Sequence, residues 1–152
     1  MKFPAPALRR GILTATCALL PLLGGAGSSA ITIVDVDHLT WKDYPGLPGV
    51  TFTVVAGNPS QPGIYTIRAR FAPNTMSAPH WHPEARYVTV LKGTWWAGTG
   101  AKFDRDTTTP LKAGGFAIHT PHEIHYDGAK DEECILEIVG MGPATSTPAE
   151  SK

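Results

Sequence analysis

The amino-acid sequence predicts an all-β domain, a sandwich or a barrel, and three observations carry that prediction. After residue 30, apolar positions show little helical periodicity. Short runs of alternating apolar and polar residues recur instead. Between these runs stand clusters of Gly, Pro, Asn and Asp, the residues that turns require. Many short strands with frequent turns are accommodated by two packed sheets or by a closed barrel.

The first segment stands apart from that pattern. "MKFPAPALRRGILTATCALLPLLGGAGSSA" begins with Lys2, Arg9 and Arg10, continues with an apolar run from Gly11 to Leu23, and closes on Ser28, Ser29 and Ala30. A basic start, a short apolar run and small residues at the end are the marks of a secretory signal over residues 1–30, and the run is too short to span a membrane. The alternative is a membrane anchor that stays attached. "RRGIL" also resembles a twin-arginine signal, which implies export of an already folded protein, with any cofactor in place. A periplasmic or secreted location is therefore expected, with no membrane association once the signal is removed. The 122 residues after Ala30 suit one domain with a single core. They hold ten Lys plus Arg against thirteen Asp plus Glu, a formal charge of −3. With no basic cluster among them, nucleic acid is excluded as a partner. Of the two cysteines, Cys17 leaves with the leader and Cys134 stays alone, so the mature chain forms no internal disulfide. The "TAT" before Cys17 is poor for lipid attachment, and Cys134 in "CILEIVGM" reads as a buried strand residue.

The strands follow in order. "PGLPGV" and "NPSQPG" are loops, because proline cannot donate to a sheet ladder. "IYTIRARF" places Tyr65, Ile67, Ala69 and Phe71 on one face and Thr66, Arg68 and Arg70 on the other. "ARYVTVLKGTWWAGTG" reads as a strand, a turn at Lys92-Gly93 and a second strand. "GGFAIHTP" and "ECILEIVGMG" are further strands, with turns at Gly114-Gly115 and Asp127-Gly128. The domain is expected to span residues 31–142, and "PATSTPAESK" (143–152) is expected to be a flexible tail.

Six histidines are present, and two of them stand one residue apart in "HWH". On a strand, His80 and His82 share a face while Trp81 points the other way. In a closed barrel His125, in "TPHEIHYDGA", can join them from a distant strand. Three neutral imidazoles suit a divalent transition metal (Fe, Mn, Zn, Ni or Cu) and leave positions open for water and substrate. The bland reading is an HxH pair on a solvent-facing strand.

These residues carry a resemblance to the cupin superfamily, whose first motif runs Gly, five residues, His-x-His, three or four residues, Glu, six residues, Gly. His80, His82 and Gly93 match it; Asn74 stands where the first glycine belongs, and Arg86 where the glutamate belongs. Asparagine also tolerates left-handed backbone. The second motif runs Gly, five residues, Pro-x-Gly, two residues, His. Gly115 and Pro121 match it, Glu123 replaces the glycine, and His125 comes one residue early. The chain is also similar to a subset of small bacterial cupins carrying "HWHPE.RYVTVL.GTW" and "HYDGAKDE". The resemblance covers roughly residues 50 to 142. It implies a single cupin-type β-barrel (a double-stranded β-helix, or jelly roll), His80, His82 and His125 as metal ligands, and a homodimer.

The departures from the motif define the remaining candidates. Without the family glutamate, three neutral ligands leave the ion nearly its full charge, which favours an anionic small-molecule substrate or a bound hydroxide. Glu84, on the face of His82, is a candidate replacement ligand or base, or else a solvated strand-end carboxylate. Arg86 is expected to hold a substrate carboxylate at the barrel mouth, or to form an ion pair with Glu84 or Glu123. His119 is expected near the site, in contact with substrate or a ligand, while His122 in the turn and His38 in a loop are expected outside it. Tyr126 is read as a packed aromatic, the alternative being a phenol offered to substrate, and of Trp95 and Trp96 one is expected in the core and the other over an edge or interface. The chain lacks a G-x-S-x-G stretch and a phosphate-binding glycine loop. The leading expectation is an exported metal-dependent enzyme, dioxygenase-like oxidoreduction standing slightly ahead of isomerisation or hydrolysis by family analogy. The alternatives are a non-catalytic metal or small-ligand binding protein and a barrel without metal. An open cavity beside the ion favours the enzyme; a filled barrel favours binding alone.

Overall fold

The computed structural model describes residues 30–149. The expected leader, with its arginine pair and Cys17, lies outside the described residues except for Ala30. The chain divides into residues 1–33 and 34–152. In the first unit, residues 30–33 are exposed and carry no strand or helix. Among the described residues no helix is long and apolar enough to cross a membrane.

The second unit is all-β. Strands β1 (Lys42–Asp43), β2 (Val50–Ala56), β3 (Gly63–Phe71), β4 (His80–Trp81), β5 (Arg86–Lys92) and β6 (Thr94–Thr99) precede β7 (Thr109–Lys112) and β8 (Phe116–His119). β9 (His125–Gly128), β10 (Cys134–Gly142) and β11 (Thr147–Pro148) follow, and among the described residues two short 3-10 turns, at Val36–His38 and Arg105–Thr107, break the pattern. They form two antiparallel sheets, ordered β1-β2-β3-β10-β5-β8 and β11-β4-β9-β6-β7. Sequence-distant strands lie side by side: β10 sits between β3 and β5, and β9 between β4 and β6. This is the jelly-roll ordering that the cupin resemblance implies.

Period-two alternation builds the core. Along β3, Tyr65, Ile67, Ala69 and Phe71 are buried, while Arg68 reaches Glu137 of β10 on the outer face at 3.1 Å. β10 answers with Cys134, Leu136 and Ile138 turned inward. Burial among apolar neighbours raises the Cys134 thiol to about 12, so it stays protonated and inert. Trp95 is fully buried, whereas Trp96 lies half-exposed beneath the Lys130 ammonium, 3.9 Å from its ring centroid. Tyr126 is buried and donates its hydroxyl hydrogen bond to the Asp104 carbonyl at 3.0 Å, the packed aromatic expected of it.

Local backbone demands explain two motif positions. Asn74 has a φ of 62° and Gly93 a φ of 71°, both in the left-handed region. A side chain at Gly93 would run into the Glu133 carbonyl oxygen.

Two expectations are corrected here. Asp127-Gly128 is not a turn but the end of β9, fully buried and paired with Ala97 and Trp96. Its glycine lets the backbone press against Thr75 and Met76, where any side chain would clash. Nor does the barrel end at residue 142. Thr147 and Pro148 pair with Trp81 and His80, and the Ala149 amide donates to the Pro79 carbonyl at 2.9 Å.

Gly93→Ala is expected to lower the unfolding free energy by roughly 1–3 kcal/mol, from a strained φ and the carbonyl clash together. Urea titration of the variant against the parent measures it.

Candidate metal centre

Two register pairs face each other between the sheets. His80 of β4 pairs with His125 of β9, and Arg86 of β5 pairs with His119 of β8. His82 follows β4 directly and is 2% exposed. The ring centroids of His80 and His125 lie 4.5 Å apart, those of His82 and His125 5.1 Å, and those of His119 and His125 3.9 Å. Strand alternation that keeps His125 inward also turns Asp127 inward.

Each of the three expected ligands is oriented through Nδ1. His80 Nδ1 donates to the Ala78 carbonyl at 2.8 Å, His82 Nδ1 to the Thr145 carbonyl at 2.8 Å, and His125 Nδ1 to the Glu123 carbonyl at 3.0 Å. A carbonyl accepts only, so the proton sits on Nδ1 and the Nε2 lone pair is left for another partner. This is the arrangement that metal-bound histidines use. His125 Nε2 is buried without a hydrogen-bond partner, as are both ring nitrogens of His119. The donor atoms of His80, His82 and His125 lie within 4.8 Å of one another. A second group, His119, His125 and Asp127, meets the same limit and shares His125 with the first.

Desolvation sets the charge state. Burial, then the nearby Arg86 cation, holds His82 down at about 3. Burial, then the neighbouring imidazoles of His125 and His82, holds His119 at about 2. His125 is also lowered, burial dominating while Asp127 pulls the other way. The imidazoles of His82, His119 and His125 are therefore neutral, the form in which a metal is bound. His119 Nε2 stands 3.8 Å from Asp127 Oδ2, and with His119 held neutral this contact is not an ion pair.

A cavity of about 330 Å³ opens beside these groups, lined by His80, His82, Arg86, His119 and Asp127. Arg86 is buried and donates from Nη2 to the Thr145 carbonyl at 3.1 Å. Neither Glu84 nor Glu123 pairs with it; its ion-pair alternative is not what the structure shows. Glu84 is exposed and lies outside both histidine groups. The reason is Pro83: β4 stops at Trp81, so the alternation that would have aimed Glu84 inward ends before it. His119 lines the cavity. His122 is exposed in the turn with its ring against Trp81, and His38 is exposed in the first 3-10 turn, bonded to Asp35.

Sequence reasoning missed two contributors. Asp127 was legible, since it lies two residues beyond His125 on one strand and so shares its face. The carbonyl of Thr145 was not, because nothing local links the C-terminal segment to His82, 63 residues away.

The arrangement can be set beside known proteins. A family model described as the ChrR cupin-like domain matches residues 29–144. A search of the curated proteins returns no match. Among solved structures, the chain is similar to the polyketide cyclase RemF from Streptomyces resistomycificus, with 16% identity, a TM-score of 0.67, and 80% of this chain and 87% of that one covered. It is similar to a double-stranded β-helix protein from Klebsiella pneumoniae, with 25% identity, a TM-score of 0.59, and coverage of 78% and 97%. A sugar phosphate isomerase of the cupin superfamily from Silicibacter pomeroyi shows 16% identity, a TM-score of 0.60, and coverage of 79% and 83%.

Ending the chain at Ala144 removes the acceptor shared by His82 and Arg86 together with β11. Stability is expected to fall by roughly 2–4 kcal/mol in urea titration, the scale of two buried hydrogen bonds, one of them to a charged group.

Proposed function

The chain belongs to the ChrR cupin-like family, and we propose that it is an exported, metal-dependent enzyme acting on a small molecule with oxygen donors. The single observation that carries this reading is the set of three imidazoles tethered through Nδ1, beside an open cavity. His80, His82 and His125 would hold a divalent transition ion through Nε2. When bound, such an ion supplies Lewis acidity toward a carbonyl or water and, if redox-active, a place for dioxygen. Export rests on the leader sequence alone.

The side chains around the histidines favour proton transfer as the reaction class. Asp127 is the one carboxylate lining the cavity; the ligand imidazoles would spend their Nε2 lone pairs on the ion, and burial holds His119 down at about 2, too weak a base for the task. Asp127 is therefore the group that takes a proton from substrate, with His119 facing it at 3.8 Å. Isomerisation and elimination both need that step, and the structurally similar proteins include an isomerase and a cyclase. The dioxygenase expectation rests on resemblance to the superfamily, and no side chain here selects a redox-active ion. A non-catalytic binding role is disfavoured by the cavity, which has the volume of small-molecule sites.

Metal analysis of the protein purified from its own host compartment tests the reading. About one transition ion per chain is expected, and none would overturn it. His80→Ala, His82→Ala and His125→Ala are each expected to weaken zinc binding at least about tenfold, while His122→Ala leaves it unchanged. Asp127→Asn is expected to retain the ion; its loss would make Asp127 a ligand and remove the proposed base.

A further inference from the structure

The cavity has two unlike halves. Its polar half holds His80, His82, His119, Asp127 and Arg86; its other half is apolar, with Leu47, Val50, Ile67, Phe71, Leu136 and Ile138 on the wall. Arg86 is the only cation among the lining residues. Its hydrogen-bond partner is neutral, the Thr145 carbonyl, and among the described residues no carboxylate lies within ion-pair distance of it. A buried guanidinium without an anion is expensive unless a ligand supplies one. Register places Arg86 beside His119 and across from the His80–His125 pair, so an anion on Arg86 sits next to the donor nitrogens.

Resting on the metal-site reading above, we infer that the substrate is an amphipathic monocarboxylate: a carboxylate held by Arg86, an oxygen on the adjacent carbon turned toward the histidines, and an apolar aromatic or branched body against the far wall. One guanidinium with no lysine beside it matches one negative charge, and its planar fork fits a carboxylate in bidentate fashion. The apolar wall rejects a polyol body, whose hydroxyls would be buried without partners. A 2-oxo or 2-hydroxy acid with a body of about six to nine carbons meets these demands and suits a cavity of about 330 Å³.

Calorimetric titration of the zinc-loaded and metal-free protein tests this, using phenylpyruvate, its methyl ester and pyruvate as probes. Phenylpyruvate is expected to bind at least about tenfold tighter than the ester, which lacks the charge, and than pyruvate, which lacks the apolar body. R86M is expected to erase the preference for acid over ester while keeping the zinc content. Equal binding of acid and ester, equal binding of pyruvate and phenylpyruvate, or a preference that survives in R86M would each overturn the inference. If R86M does not fold, the comparison of acid with ester on the unaltered chain decides alone. A protein that holds zinc but ignores the charge sinks this inference only. One that holds no metal yet prefers the acid sinks the metal reading and leaves the carboxylate site standing.

Discussion

The site depends on one kind of interaction, the hydrogen bond from a histidine Nδ1 to a backbone carbonyl. An imidazole has two nitrogens and a ring free to turn. Fixing one nitrogen to an acceptor decides the tautomer, the ring plane and the direction of the other lone pair at once. Ala78 and Glu123 do this for His80 and His125 from two residues upstream, so the chain entering each strand orients its own ligand. His82 borrows its carbonyl from Thr145 instead. The C-terminal segment is thus part of the centre, and its pairing with β4 holds the acceptor where both His82 and Arg86 need it.

That division explains what could be read in advance. Strand identity, inward and outward faces, and the left-handed positions at Asn74 and Gly93 are decided by a residue and its near neighbours, and the sequence displays them. The HxH pair is legible for the same reason, since spacing of two on a strand is a statement about direction. Convergence of His125 on that pair follows from the jelly-roll order, which short motifs can signal but not prove.

The misreadings have causes of their own. "DG" is a turn signal only while its backbone is free to bend, and here β4's leading loop and β6 trap Gly128 between them, so tertiary packing overrides local preference. "PATSTPAESK" looks like a fraying end because it is small and polar, yet Thr147 and Pro148 form an edge strand, and Ser146 and Pro148 line the cavity. Glu84 failed for a local reason that was visible: Pro83 ends the strand before the alternation reaches it.

Arg86 is where this chain departs most from the motif it resembles, and the departure has an electrostatic consequence. At a register position that places its side chain in the cavity, a carboxylate would lower the charge of a bound divalent ion and repel an incoming anion. A guanidinium there leaves the ion's charge in place and adds to it. His82 and His119 cannot compensate, since burial keeps them neutral, and the single lining carboxylate, Asp127, lies on the opposite sheet beside His125. The cavity therefore separates one negative group from one positive group across a cluster of neutral donors. An anion entering it is drawn to the Arg86 side and held off Asp127, which leaves that carboxylate facing the carbon skeleton rather than the charged head.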